Sequence, residues 1–348
     1  MSVVRPAAGL ATGHPLPPLP EGRQAVGRSV LTEGTLAMLV TDVDLQGEHR
    51  RVNDAWRSSI PPDPPARLWE LAANGVGRLL LARPKEWDEG ASFPLETPFP
   101  LCDRFSDGRW LIVKSRARDA TNARVLSPEG ALVQRFRLGD GIEHVAIDAD
   151  DRIWVGWFDE GVVGNDNWRL PGHDWAPSSN GVACFAADGP LLSLPDWPDG
   201  TSIIADCYAQ NVTGSGAWVC PYTEFPLVCF EPDHPTRWWR SDVAGAKAIA
   251  VDGRHALLAG GYREDAARLA LVELAGEGDG EQASLLATWI MPLRRLPPPS
   301  NDWAPVWDAP DLLVGRGGVL HLIVDHRWYR WHVETVVAAW RRDQSPTG

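Results

Sequence analysis

Acidic residues stand at the starts of several apolar, strand-like segments of this chain. These residues are Glu70, Asp103, Glu143, Asp206 and Asp308. If the strands surround a common axis, their carboxylates converge on it and can bind a hard cation, because Ca²⁺ takes about six to eight oxygen ligands. Asp103, Glu143, Asp206 and Asp308 are therefore candidate metal ligands, with Ca²⁺ or another divalent cation as the cofactor. The alternative is that these acids cap turns or accept backbone N–H groups.

Two histidines and a lysine could complete such a site. His144 follows Glu143 directly, and His173 lies in a long insertion. Either imidazole could move a proton as a catalytic acid or base. Lys247 stands at another strand start, where its charge would offset the mutual repulsion of clustered carboxylates.

The insertion itself, residues 158–177, is too long for a hairpin turn. Loops of this length are usually functional or disordered, and the aromatic and acidic content of this one argues against disorder. One interpretation is a lid that presents Asp159, Glu160, Trp168 and Trp175 to a ligand. The other is a packed cover held by its two tryptophans.

A further stretch, residues 206–211, alternates polar side chains along a predicted inner strand. Strand alternation places Asp206, Tyr208 and Gln210 on one face. Tyr208 is thus a candidate ligand-binding residue, together with Lys247. The alternative is an ordinary strand whose polar side meets its neighbour. Residues 222–226 form a polar loop after the next strand and could reach the same end.

Hairpin signatures position these residues. An apolar run at 144–148 turns at Asp150-Asp151 into 153–157, and 248–251 turns at Asp252-Gly253 into 256–259. The signal recurs six times, at an average spacing typical of four-stranded propeller blades. The predicted turns lie near Gly75, Asp107, Asp151, Gly214, Gly253 and Gly317.

The chain is therefore predicted to be all-β, a six-bladed β-propeller of four-stranded antiparallel blades. Residues 1–28 are rich in proline and predict a flexible tail, 29–342 the propeller domain, and 343–348 a second tail. The strand at 35–41 is expected to join the last blade and close the ring, which removes exposed sheet edges. Residues 334–342 are interpreted as a strand because of Thr335-Val336-Val337.

Composition excludes several partners. The chain has 33 Lys and Arg against 46 Asp and Glu, a formal charge of -13. This charge repels nucleic acids and anionic membranes, so neither is an expected partner. We find neither a secretory signal nor an apolar run long enough to span a membrane, which predicts a soluble, cytoplasmic protein. Only three basic residues are lysines, a skew typical of a GC-rich genome.

The five cysteines form no CxxC pair and lie in apolar runs, which favours buried thiols over metal ligands or disulfides. Conventional catalytic motifs are missing as well. The sequence contains no GxSxG, Walker A, HExxH or GxGxxG motif.

The hairpin at residues 141–155 resembles those of the six-bladed propeller superfamily that includes NHL-repeat proteins and the gluconolactonase and strictosidine synthase-like groups. The similarity covers residues 66–342, and the run at 153–161 also resembles a bacterial propeller group for which it implies no activity. Pro305-Val306-Trp307 is similar to a segment of the gluconolactonases. That resemblance implies a divalent cation at the channel mouth, bound by Glu, Asn and Asp side chains.

Two functions remain open on these grounds. One is a propeller that binds a protein or a small ligand on its loop-rich face, beside an acidic channel mouth, and this one is favoured. The other is a metal-dependent hydrolase or lactonase-like enzyme, in which the cation would polarise a carbonyl or activate water. Fold alone does not decide between them.

Overall fold

The computed structural model describes residues 5–57, 66–117, 121–165, 168–169, 174–197, 204–214, 216–297 and 306–344. The chain is mostly β, with 47% strand and 16% helix. It divides into two compact units, Leu16–Val145 and a second unit made of Met1–Pro15 with Ala146–Gly348.

Two short strands near the start of the chain belong to the second unit. They are β1 (Arg5–Pro6) and β2 (His14–Pro15).

The unit Leu16–Val145 contains two sheets of four strands, each in chain order. The first consists of β3 (Gln24–Val30), β4 (Leu36–Thr41), β5 (Val76–Ala82) and β6 (Trp87–Pro94). Two helices, α1 (Leu45–Arg57) and α2 (Ala66–Asn74), connect β4 to β5. The second sheet consists of β7 (Pro100–Arg104), β8 (Trp110–Lys114), β9 (Ala123–Leu126) and β10 (Leu132–Phe136).

The next sheet also follows chain order. It comprises β11 (Ile142–Ile147), β12 (Ile153–Trp157), β13 (Val182–Phe185) and β14 (Leu191–Ser193). A short helix, α3 (Asp159–Gly164), follows β12.

The largest sheet has nine strands and combines two groups of consecutive antiparallel strands. The first group is β15 (Asp206–Thr213), β16 (Gly216–Tyr222), β17 (Leu227–Phe230) and β18 (Arg237–Ser241). The second is β19 (Ala248–Asp252), β20 (His255–Ala259), β21 (Arg268–Leu274) and β22 (Asp279–Ile290). Parallel pairing of β18 with β22 joins the groups, and β1 pairs with β22 as well.

The last sheet places β2 beside β25, in the order β2-β25-β24-β23. Its other strands are β23 (Leu312–Arg316), β24 (Val319–Val324) and β25 (Arg327–His332). The helix α4 (Val333–Gln344) follows. Among the described residues, no helix has both the length and the apolar character needed to cross a membrane.

Central strands such as β8 and β12 are buried along their whole length. Both faces of such strands are covered by other parts of the chain. Their side chains are therefore mostly apolar and belong to the hydrophobic core.

In the second unit Gly315 allows an especially close approach of two strands. A Cβ at this position would lie 1.6 Å from the carbonyl oxygen of Ile249.

Most of the predicted hairpin turns are confirmed. The turns at Asp107, Asp151, Gly214, Gly253 and Gly317 connect strands that are neighbours in a sheet. Gly75 is the exception, because it follows α2 rather than a strand. The predicted strand at 35–41 is present as β4, but its expected pairing with the last blade is wrong. It lies between β3 and β5, since Gln24–Val30 supplies a local partner.

A different N-terminal strand, β2, pairs with β25. Residues 5–15 contain β1 and β2, and each of these strands pairs with a later strand. The side chain of Ala7 is fully buried, and its carbonyl accepts a hydrogen bond from Nε1 of Trp331 at 3.0 Å. A proline-rich composition favours extended backbone, and the two extended segments of this region, β1 and β2, pair with β22 and β25.

The predicted strand at 334–342 is wrong, since α4 covers these residues. Val333, Val336 and Val337 are buried on one face, at the spacing of an amphipathic helix. Glu334 lies in the first turn and two arginines in the last, which complements the helix dipole.

Candidate functional site

The four predicted metal ligands have different environments. Asp103 is fully buried in β7, whereas Glu143 is exposed on β11. Asp206 is half-buried at the start of β15, and Asp308 forms an ion pair with Arg294. Within the part of the chain that the structure describes, no group of three or more His, Cys, Asp or Glu residues could hold a metal ion. The described residues therefore do not form a site that fits the predicted cation.

The other residues that were predicted near the metal ligands lie in different elements. Glu70 lies exposed in α2 rather than at a strand start, so its expected position was wrong. His144 is half-buried on β11. The second predicted catalytic histidine, His173, lies outside the described residues.

The insertion after β12 is partly packed. Trp168 is 6% exposed, and its ring stacks on Phe185 with centroids 6.1 Å apart. This contact is what the packed-cover interpretation requires of Trp168. Trp175 is 43% exposed, and Asp159 and Glu160 lie exposed in the first turn of α3.

Four aromatic side chains meet at one end of the nine-stranded sheet and form what we call the tyrosine cluster: Tyr208, Tyr222, Phe225 and Tyr262. The rings of Tyr208 and Tyr222 are stacked, with centroids 5.6 Å apart and an interplanar angle of 18°. Phe225 lies 5.7 Å from each of these two rings and 6.0 Å from Tyr262. Tyr222 and Tyr262 remain 39% and 47% exposed. The cluster therefore offers open aromatic surface at a strand end.

A β-bulge places Tyr208 in this cluster. In the pairing of β15 with β16, Cys207 lies opposite Pro221 and Ala209 lies opposite Cys220, so Tyr208 is the additional residue. Bulges re-aim a side chain and often occur beside functional sites. The bulge also interrupts the predicted alternation, and Gln210 is consequently buried rather than aligned with Asp206 and Tyr208.

Lys247 completes the cluster. Its Nζ lies 3.3 Å from the centroid of the Tyr208 ring, which is a cation–π contact. Two of the residues predicted to bind a ligand are thus brought together. Burial raises the pKa of the Tyr208 phenol, and its hydrogen bond with Tyr262 and the nearby Asp206 charge act in the same direction. Tyr208 is consequently neutral at physiological pH.

Two loops position the remaining aromatic residues. Phe225 and Glu224 adopt left-handed backbone, with φ of 55° and 56°, which is uncommon for residues other than glycine. Tyr262 follows Gly260 and Gly261, and its hydroxyl donates to the Tyr208 hydroxyl at 3.0 Å. The loops thus bring rings from separate strands into one cluster.

Arg268 supports the loop that carries Tyr262. Its Nη1 donates to Asp265 at 3.2 Å, and its Nη2 donates to the carbonyl of Ala244 at 2.5 Å. These contacts hold the loop that carries Tyr262 in one arrangement.

A thiol lies beneath the cluster. Cys220 is fully buried, and its Sγ is 3.8 Å from the carbonyl oxygen of Phe225. Burial raises the pKa of this thiol to about 12, so it is not a nucleophile at neutral pH. All five cysteines lie in the described part of the chain and are buried, as predicted.

The cluster was only partly predictable. Tyr208 and Lys247 were predicted to bind a ligand, and the loop at 222–226 was expected to reach the same end. Tyr262 was missed, although Gly260-Gly261 before it marked a loop between two apolar strands. A glycine pair indicates a turn, but it does not indicate which side chain the turn presents.

No protein-family model matches the chain. No curated protein matches it either. Among solved structures, it is similar to a catalytically inactive virginiamycin B lyase from Staphylococcus aureus with quinupristin, at 10% identity and a TM-score of 0.41, over 92% of this chain and 98% of that one. It is also similar to a gluconolactonase from Xanthomonas campestris, at 12% identity and a TM-score of 0.42, over 91% and 96% of the two chains.

A third similar structure is Citrobacter koseri AztD, at 12% identity and a TM-score of 0.40. The match covers 71% of this chain and spans 62% of the AztD chain. At these identities and TM-scores, the similarities do not indicate an activity for this chain.

Proposed function

We propose that the chain is a six-bladed β-propeller that binds a ligand. The proposed blades are the strand groups β3–β6, β7–β10, β11–β14, β15–β18, β19–β22 and β23–β25 with β2. Each group supplies four strands, which is the composition of a propeller blade. The addition of β2 to the last group supports closure by an N-terminal strand.

The proposed binding site is the tyrosine cluster with Lys247. The observation that carries this proposal is the convergence of four aromatic rings and an ammonium group, with Tyr222 and Tyr262 still exposed. Exposed apolar surface of this kind is typical of binding sites. Tyrosine also presents a flat apolar face and a hydroxyl, which suits mixed apolar and polar ligands.

The ligand class proposed is a small organic molecule with a flat face and polar substituents, such as a sugar or an aromatic acid. Aromatic rings would contact the flat face, and phenol hydroxyls or Lys247 would bind the substituents. A protein partner would be the alternative outcome. The formal charge of -13 supports the expectation that neither nucleic acid nor an anionic membrane is the partner. The metal-dependent alternative gains no support from the donor groups of the described residues.

The test is a thermal-shift screen of monosaccharides, aromatic acids and quaternary ammonium compounds, followed by calorimetry of the compounds that bind. Tyr222→Ser and Tyr262→Ser should each weaken binding about fivefold to tenfold, the range expected for loss of an aromatic contact. Leu285→Ser is the matched control, because Leu285 is 53% exposed on β22 outside the cluster.

Compounds that bind both tyrosine variants as tightly as the parent protein would refute this location of the site. Capture of a protein whose binding depends on the same two tyrosines would assign the cluster to a protein partner. Turnover of a compound, in place of stable binding, would indicate the enzyme alternative.

A further inference from the structure

Three cationic side chains surround one carboxylate in the unit Leu16–Val145. The carboxylate of Glu96 lies 3.0 Å from Nη1 of Arg124, 2.7 Å from Nη2 of Arg135 and 3.9 Å from Nζ of Lys114. Lys114, Arg124 and Arg135 come from the neighbouring strands β8, β9 and β10. We call these four residues the arginine pocket.

The four side chains of the pocket differ in their exposure to solvent. The side chains of Arg124 and Lys114 are 2% and 9% exposed, whereas those of Glu96 and Arg135 are 26% and 34% exposed. The carboxylate thus lies at the open side of cations that are mostly buried. A molecule from solution would reach Glu96 and Arg135 first.

Backbone contacts fix the positions of Glu96 and Arg124. The guanidinium of Arg124 donates to the carbonyls of Pro94 and Leu95, each at 2.8 Å. Its Nε has no hydrogen-bond partner among the described residues. Glu96 has a left-handed φ of 63°, and its N–H donates to the carbonyl of Ala72 at 3.0 Å. The guanidinium of Arg124 is consequently held in place by the fold.

Electrostatics supports an affinity for negative charge. Burial raises the pKa of Glu96, but Arg135, Arg124 and Lys114 outweigh it and hold the pKa below its usual value. Burial lowers the pKa of Arg124, and the like charge of Arg135 lowers it further, against the effect of Glu96. An oxyanion with two charges would therefore offset the repulsion between the arginines better than one carboxylate does.

We propose that the arginine pocket is an oxyanion-binding site, in which Glu96 is an internal occupant that an external carboxylate or phosphate group can displace. Arginine recognises both groups through paired N–H donors, and Arg135 already binds Glu96 through Nη1 and Nη2. The pocket lies within one unit and its binding is independent of the tyrosine cluster.

The experiment is calorimetric titration of the full chain with inorganic phosphate and, separately, with citrate at low ionic strength. Arg135→Gln should weaken binding about tenfold or more, because it removes charge-assisted hydrogen bonds. Glu96→Gln should strengthen binding about fivefold or more, because it removes a like charge about 4 Å from the incoming oxyanion. Circular dichroism and thermal melting would establish that the variants are folded.

Arg104→Gln is the matched control. Arg104 forms an ion pair with Glu33 in the same unit, and its side chain is 26% exposed. The substitution changes the net charge by the same amount outside the pocket and should leave binding unchanged. Binding of phosphate alone or of citrate alone would identify which oxyanion the pocket prefers.

Absence of saturable binding for both anions in the parent and Glu96→Gln proteins would overturn the proposal. So would equal losses in the Arg135 and Arg104 variants, since these would show a general charge effect. Weaker binding in a folded Glu96→Gln protein would also contradict it, because an occupant that competes cannot strengthen binding.

Discussion

Asn211 connects β15 to the turn between β23 and β24. Its Nδ2 donates to the carbonyl of Gly317 at 2.8 Å, and its Oδ1 accepts the N–H of the same residue at 2.9 Å. The side chain thus binds one backbone residue in both directions, as a neighbouring strand would. Asn211 is 1% exposed, so water does not easily replace these contacts. We predict that Asn211→Ala destabilises the protein substantially.

The magnitude follows from the two contacts. A hydrogen bond contributes about 1 kcal/mol, and a buried group left without a partner costs about 1 to 3 kcal/mol. Both backbone groups of Gly317 keep a second partner, because its N–H also donates to the carbonyl of Val212 and its carbonyl also accepts the N–H of Val251, each at 3.2 Å. The substitution removes two hydrogen bonds and leaves neither group of Gly317 unpaired, so we expect a loss of about 2 kcal/mol in the free energy of unfolding. Asn211→Asp should be worse at pH 7, since a carboxylate would face the carbonyl oxygen of Gly317.

Urea unfolding followed by circular dichroism measures this loss, provided that the dependence on denaturant is unchanged by the substitution. Gln282→Ala is the control, because this amide of the same unit is exposed and its side-chain hydrogen bonds to Asp242 and to the carbonyl of Ala283 are both 3.4 Å long. It should change stability by less than about 0.5 kcal/mol. Equal effects of Asn211→Ala and Gln282→Ala would refute the reasoning, as would an Asn211→Asp protein as stable as the parent.

Two further predictions concern the same unit. Gly315→Ala should cost about 3 kcal/mol or more, because the new methyl group would overlap the carbonyl oxygen of Ile249. Gly164→Ala, where the added methyl group meets nothing within 4 Å, should be close to neutral in the same unfolding assay, and equal losses would contradict the packing argument. Burial lowers the pKa of His321 to about 3, and its Nδ1 accepts a hydrogen bond from Nε1 of Trp328 at 3.2 Å. Since the unfolded chain binds this proton near pH 6.5, His321 should lower stability as the pH falls from about 6.5 towards 3. NMR titration, with His321→Gln for assignment, should show a neutral imidazole down to pH 5, and a midpoint above about 5 would disprove it.

The hairpins were predictable because their signals are local. Asp252-Gly253 between two apolar runs specifies a tight turn, and the structure pairs Asp252 with His255 across it. The helices were harder to predict. In α4, the β-branched residues favoured a strand, but burial of Val333, Val336 and Val337 along one face determined the outcome. Tertiary packing of this kind overrides intrinsic propensity.

The candidate site was less predictable than the fold. The sequence indicated strand ends correctly at Asp206 and Lys247, but the bulge at Tyr208 depends on pairing with Pro221 and Cys220, which lie on another strand. The meeting of Tyr208 with Tyr262 depends on two loops far apart in sequence. Long-range geometry of this type has no local signature.

The long strand β22 has a consequence for solubility. Arg5 and Pro6 pair with Trp289 and Ile290 at the end of β22, and β18 pairs with the first residues of β22. Without the first residues of the chain, the backbone of Trp289 and Ile290 would present unsatisfied donors and acceptors, a template for adding a strand from another molecule. The extended peptide at the beginning of the chain thus covers part of the edge of β22 to which a strand from another molecule could otherwise be added.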